Sequence, residues 1–129
     1  MKVRDLSGKY HVLNLAKYVN NRRVNASQLH INAVSFLRLI YPALQILEEV
    51  HIPGENLYLD IYIPAMKTAV ECQGAQHSEF NKFFHRRNPK NFANARARDE
   101  RKKEWCDLNN IRIVYFYDGE DENQWQKKM

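Results

Sequence analysis

Two cysteines, Cys72 and Cys106, are all that this 129-residue chain carries, which excludes a disulfide framework and a cysteine-rich zinc site. Both lie in apolar stretches (AVECQG and EWCDLN) and read as buried thiols of a reducing compartment. No run approaches the roughly 18 apolar residues of a membrane span, and the opening MKVRDLSGKYH has no apolar signal core, so a soluble, cytoplasmic protein without membrane contact is expected. There is no Walker phosphate loop, nucleophilic serine elbow or dinucleotide glycine motif. His11, His30, His51 and His85 show no metal-ligand spacing. Acidic charge is also short: fifteen Asp and Glu against twenty Lys and Arg give a formal net charge of +5. That excess favours polyanionic partners, nucleic acid foremost, through counterion release.

What remains is the composition of one folded domain, 44% hydrophobic and 27% charged. Residues 1–26 carry Lys2, Arg4, Lys9, Lys17, Arg22 and Arg23 against Asp5 alone and read as a basic arm, with room for a short helix. Ser27 can cap a helix to about residue 41, because Leu29, Ala33, Phe36, Leu37 and Ile40 recur at helical spacing until Tyr41-Pro42. ALQILEEVHIPG then reads as a strand stopped by Pro53-Gly54. LYLDIYIP alternates, predicting Leu57, Leu59, Ile61 and Ile63 on one face and Tyr58, Asp60 and Tyr62 on the other.

TAVECQG predicts a partner strand after a turn at PAMK. Residues 78–92 mix basic side chains with phenylalanines, and Pro89 argues for a loop there. A helix over about 93–109 and a buried strand in IRIVYFY follow, and DGEDENQWQKKM reads as a frayed tail over 118–129. The predicted order is helix, strand, strand, strand, helix, strand.

With Ala65 and Met66 at the tip of the turn, antiparallel pairing sets Asp60 opposite Glu71, Tyr58 opposite Gln73 and Tyr62 opposite Ala69. Directly paired Cβ atoms stand about 4.5–5.5 Å apart, so two carboxylates there either share a divalent cation or simply line a solvated sheet face. Hard oxygen ligands favour Mg²⁺, with Mn²⁺ able to substitute.

The string LYLDIYIPAMKTAVECQGAQH, continued through FNKFFH and RDERKKEWCDLNNIRIVYF, resembles the PD-(D/E)XK nuclease superfamily. It is most similar to a group of small phage and bacterial homing- or recombination-type endonucleases, over roughly residues 27–117. The resemblance implies an α/β restriction-endonuclease-like core, with a mixed central sheet flanked by helices. It also implies Mg²⁺-dependent hydrolysis of DNA phosphodiesters by activated water, in a bacterial or phage-infected cell. Carried over by position, it makes Asp60 and Glu71 the metal-binding acids and the Cys72 carbonyl a backbone ligand. One active site cuts one strand per visit, so double-strand cleavage would call for a homodimer or sequential nicking.

Two departures from the pattern matter. Gln73 stands where the superfamily has lysine; an amide can position water but supplies neither positive charge nor a strong base. His77, helped by Gln76, and Lys102, on a helix stripe with Arg98, Trp105, Cys106 and Asn109, are the candidate substitutes. Between Ser27 and Tyr41 there is no acid, where many members contribute one; Glu48 and Glu49 are replacements, Glu49 the better placed. Arg22 and Arg23 in the arm, and Lys82, Arg86, Arg87 and Lys90, are the expected DNA phosphate contacts, with Phe83 or Phe84 stacking on a base or packing beneath the loop. The same residues allow two other readings: a DNA-binding protein whose catalysis has decayed, or an interaction domain that kept the fold.

Overall fold

The computed structural model describes residues 1–74 and 89–129, with side chains from residue 94 onward in the second stretch. Helix α1 spans Gln28–Ile40, and Ser27 caps it as expected, its hydroxyl accepting the His30 N–H at 3.2 Å. Its apolar stripe buries Ala33, Val34, Phe36 and Leu37, and it ends before Tyr41-Pro42. Three antiparallel strands follow: β3 (Leu47–Ile52), β4 (Leu57–Ile63) and β5 (Thr68–Gln73). They come after an N-terminal hairpin of β1 (Lys2–Arg4) and β2 (Tyr10–Val12).

The β4–β5 turn is a short 3₁₀ segment, Pro64–Met66, closed by Lys67 in the left-handed region at φ 47°. Helix α2 (Pro89–Leu108) carries the chain over to β6 (Arg112–Tyr117), which pairs parallel with β5, as a helical crossover permits. The sheet order is β3-β4-β5-β6.

This mixed sheet is covered on both sides. On one, α1 and a C-terminal helix α3 (Glu122–Lys128) pack on Ile61, Ile63, Val70, Val114 and Phe116. On the other, Trp105 and Cys106 of α2 join Leu47, Val50, Ile52, Leu57, Leu59, Tyr62 and Ala69. The predicted order is present, and the sequence expectations are corrected in four places.

Helix α2 begins at Pro89, because proline at a first helical position forfeits an N–H that has no partner there anyway. Residues 118–129 are not frayed. Asp121 and Gln124 form a reciprocal capping box, and Trp125 is buried with its ring stacked on Phe116 at 4.7 Å. The N-terminal segment does not extend as an arm, since Val3, Leu13 and Tyr18 are buried in the α2-side core. Gly54, at φ 82°, lets the β3–β4 loop approach this hairpin: a Cβ there would stand 2.7 Å from Asp5 Oδ2 and 2.8 Å from His11 Nε2.

The fourth correction concerns the alternation along β4. Leu57, Leu59 and Tyr62 belong to one core and Ile61 and Ile63 to the other, so the strand changes phase at Asp60. Strand β3 does so on the same rung, with Leu47 on the same side as Val50 and Ile52. The β3–β4 ladder pairs Leu47 with Tyr62, Glu48 with Ile61 and Val50 with Leu59, passing over Glu49 and Asp60. Glu49 is in the left-handed region at φ 52°, an unusual conformation for a residue with a Cβ, and this turns both strands without changing their register.

Removal of the buried Trp125 ring should cost about 3–5 kcal/mol by the measure of large-to-small core substitutions. Urea denaturation of Trp125→Ala should show that loss, whereas an unchanged midpoint would mean that α3 is not part of the cooperative fold.

Candidate functional site

The interrupted rung is where the acids meet. The β4–β5 ladder runs Ile63–Thr68, Tyr62–Ala69, Ile61–Val70 and stops one step short of Asp60 and Glu71. From there the backbone donors are satisfied by carboxylates. The Asp60 N–H donates to Glu71 Oε2 at 2.8 Å, and the Cys72 N–H donates to Asp60 Oδ2 at 2.9 Å. Asp60 therefore faces Glu71 as the turn geometry predicts, but through side chain-to-backbone bonds, and the expected Tyr58–Gln73 pair is absent from the ladder.

Each carboxylate has one oxygen fixed in this way, and the other turned toward a cation. Lys102 Nζ donates to Glu71 Oε1 at 2.7 Å, and Arg23 Nη1 lies 3.3 Å from Asp60 Oδ1. Arg23 also reaches back, its Nε 2.9 Å from Glu49 Oε1. Lys102 arrives because α2 presents it one turn from Trp105 and Cys106, which anchor that face in the core.

Burial sets the electrostatics. The Glu71 side chain is 2% exposed. Desolvation and the nearby Asp60 charge push its pKa up to about 8, against the pull of Lys102 and of the Asp60 N–H. Burial acts to lower the Lys102 pKa, but the Glu71 and Asp60 charges outweigh it and hold Lys102 above its ordinary value, as an ammonium. Burial, Asp60 and Glu71 push the Cys72 thiol well above its ordinary range. Burial followed by Glu71 and Asp107 takes Cys106 to about 12, so neither thiol is a ready nucleophile.

Among the described residues no group of three or more His, Cys, Asp and Glu side chains is gathered to hold a metal. The donor set still fits a small hard cation. Mg²⁺ is commonly held by one or two carboxylates with water completing its shell, and Asp60 Oδ1 and Glu71 Oε1 are the oxygens available to it. Both oxygens already face positive side chains, Arg23 and Lys102, which a divalent ion would have to displace or share them with.

Among the other sequence candidates, Gln73 is buried at the end of β5, its carbonyl accepting the Asp118 N–H at 2.9 Å. Arg22 Nε lies 3.7 Å from Glu48 Oε2, with Nη1 on the Asn21 carbonyl at 2.8 Å. Glu48 turns away from the acids. Its Oε1 meets His30 Nε2 at 2.8 Å inside the α1-side core, so one oxygen of this buried acid is partnered by a histidine that carries no predicted role. His30 precedes Ala33, Val34 and Leu37 on the buried helix face, a spacing that could have flagged it. Gln76, His77, Lys82, Phe83, Phe84, Arg86 and Arg87 lie outside the described residues, as does the Lys90 side chain in the first turn of α2.

Comparison with known proteins finds viral relatives. The chain is 42% identical over 59 residues to uncharacterized protein 307L of Invertebrate iridescent virus 6, covering 46% of this chain and 29% of that protein. It is 40% identical over 63 residues to uncharacterized protein 033L of Invertebrate iridescent virus 3, covering 49% and 32%. Uncharacterized protein 094L of Frog virus 3 (isolate Goorha) is 34% identical over 61 residues, covering 47% and 39%. The matched part thus spans about a third of each relative. The first two are iridescent-virus proteins, whereas the sequence resemblance points to phage and bacterial ones. No family model and no solved structure matches. No described helix is long and apolar enough to cross a membrane.

The raised Glu71 pKa carries a sign for stability. A carboxyl near 4.5 when unfolded and about 8 when folded binds more protons in the native state between those values, so stability contributed by this group falls as pH rises through that window. Denaturant titrations at pH 5 and pH 8 should show Glu71→Gln gaining on the wild type at the higher pH. An equal difference at both would contradict the shift.

Proposed function

We propose that the chain is a metal-dependent DNA endonuclease of the restriction-endonuclease-like class, acting in the cytoplasm of an infected cell. The observation that carries this reading is the pair of acids, Asp60 and Glu71, locked by reciprocal backbone bonds where the sheet opens, with Lys102 2.7 Å from Glu71. It joins two features of the sequence, the likeness of LDIYIP…VECQGAQH to the superfamily and the basic net charge of +5.

Asp60 Oδ1 and Glu71 Oε1 would hold Mg²⁺ or Mn²⁺, with the Cys72 carbonyl the further ligand implied by the resemblance. A divalent ion there supplies a water of lowered pKa and neutralises charge on a phosphodiester oxygen. The chain's own residues do the rest. Reciprocal N–H bonds keep both carboxylates from rotating, which preorganises the site. Lys102, held as an ammonium, cannot accept a proton near neutrality; its role is to place positive charge beside the reacting phosphate, the charge that Gln73 cannot supply. His77 remains the candidate for proton transfer, and Gln73 for orienting water.

A second reading, a DNA-binding protein with decayed catalysis, is favoured by one observation: both outward acid oxygens are already matched by Arg23 and Lys102.

The test is incubation with supercoiled, linear, branched and single-stranded DNA in Mg²⁺, Mn²⁺ or EDTA. Cleavage is expected only with metal, and Asp60→Ala and Glu71→Ala should each abolish it while remaining folded. Lys102→Met should slow it by about 10²–10³-fold, the range for loss of one preorganised electrostatic contact, with little change in DNA affinity. Near wild-type cleavage by both folded acid variants would overturn the site, and salt-sensitive DNA binding without cleavage by the wild type would favour the second reading.

A further inference from the structure

We propose that Arg23 is a gating residue: it bridges Glu49 and Asp60, leaves Asp60 when a divalent cation binds, and then turns to a phosphate of the substrate. This inference rests on the nuclease reading and adds to it a competition that the metal-ligand assignment does not contain.

The geometry gives Arg23 two acid partners on adjacent strands. Its Nε is 2.9 Å from Glu49 Oε1 on β3, and its Nη1 is 3.3 Å from Asp60 Oδ1 on β4. These acids occupy the rung that the β3–β4 ladder omits, and Glu49 holds the left-handed conformation there at φ 52°. Unfavourable backbone conformations persist only where the surroundings fix them, and they gather at functional sites. The segment bearing Arg23 is moored beside that rung, because the Asn21 side-chain amide donates to the Glu48 carbonyl at 3.0 Å. Arg23 is thus delivered to the acids by neighbouring contacts, while its own side chain stays 37% exposed.

A divalent cation on Asp60 Oδ1 would take the oxygen that Arg23 now contacts and set a second positive charge beside the guanidinium. The two cannot share that oxygen at full strength. Lys102 differs: its side chain is 16% exposed and its partner Glu71 is almost wholly buried, so it is held in place. Glu49, the stronger of the two Arg23 contacts, lies one strand farther out and retains the side chain by Nε while the paired Nη donors are released. A guanidinium presents its five donors as a planar fork that suits phosphate oxygens, and it stays charged at any working pH. Metal arrival therefore frees a phosphate-binding fork next to the metal, which couples substrate binding to metal loading.

The experiment measures Mn²⁺ binding calorimetrically, without DNA, for the wild-type chain, Arg23→Met, Arg23→Lys and Arg22→Met, each checked for folding by circular dichroism. Removing a partly exposed ion pair that competes with the metal should tighten Mn²⁺ binding by about three- to fivefold in Arg23→Met. Arg23→Lys should lie between that variant and the wild type, and Arg22→Met, whose side chain pairs with Glu48, should match the wild type. In Ca²⁺, Arg23→Met should bind a DNA oligonucleotide more weakly, with a salt slope reduced by about one.

Wild-type Mn²⁺ affinity in Arg23→Met would overturn the gate and leave the metal site standing. Mn²⁺ binding by Arg23→Met alone would support the gate in its strongest form, whereas no Mn²⁺ binding by any folded variant would overturn both the gate and the nuclease reading. A tighter metal site with an unchanged DNA salt slope would overturn the transfer to phosphate.

Discussion

A carboxylate removed almost entirely from water must be given donors, and the arrangement around Glu71 follows from that requirement. One oxygen takes the Asp60 N–H and the other takes the Lys102 ammonium. The first bond is possible only because the β4–β5 ladder stops at Ile61–Val70, which leaves the Asp60 N–H free of backbone partners on that side. The second needs α2 to cross the sheet with Lys102 facing inward, which the burial of Trp105 and Cys106 secures. The same contacts that would serve a cation therefore also hold the sheet and α2 together.

The scaffold makes room for this by a local irregularity rather than a loop. Strands β3 and β4 change phase on one rung, through Glu49 in a left-handed conformation, yet keep their register on either side. Regular alternation would point Asp60 away from one of the two cores along the whole strand. The shift lets Leu57 and Leu59 serve the α2-side core while Ile61 and Ile63 serve the α1-side core, and Asp60 stands at the crossing point. Position at the rim of two cores gives the acid rigid surroundings without full burial.

Much of this was legible in the residues. The turn at Ala65-Met66 and the period-two pattern beside it set Asp60 across from Glu71, and the spacing of Lys102 to Trp105 and Cys106 predicts an inward ammonium. The phase break was not legible, for a physical reason: both faces of the sheet are buried, so apolar residues continue through Asp60 and mask the change of side. A glutamate at positive φ has no sequence signature either. Helix α3 was hidden by its polar composition, although Asp121 and Gln124 flank the spacing of a capping box and Trp125 is too large to leave in solvent without a reason. The basic cluster over residues 1–26 predicts phosphate contacts for Arg23, but it says nothing of the acids on which the fold lays it.

The central claim is that the opening in the sheet at Asp60 and Glu71 is a cation site built from two carboxylates. The most direct measurement is an anomalous difference map from crystals grown in Mn²⁺. The account predicts a peak within bonding distance, about 2.1 Å, of Asp60 Oδ1 and Glu71 Oε1. Saturating Mn²⁺ with no peak at these oxygens, in crystals where both acids are ordered, would contradict it.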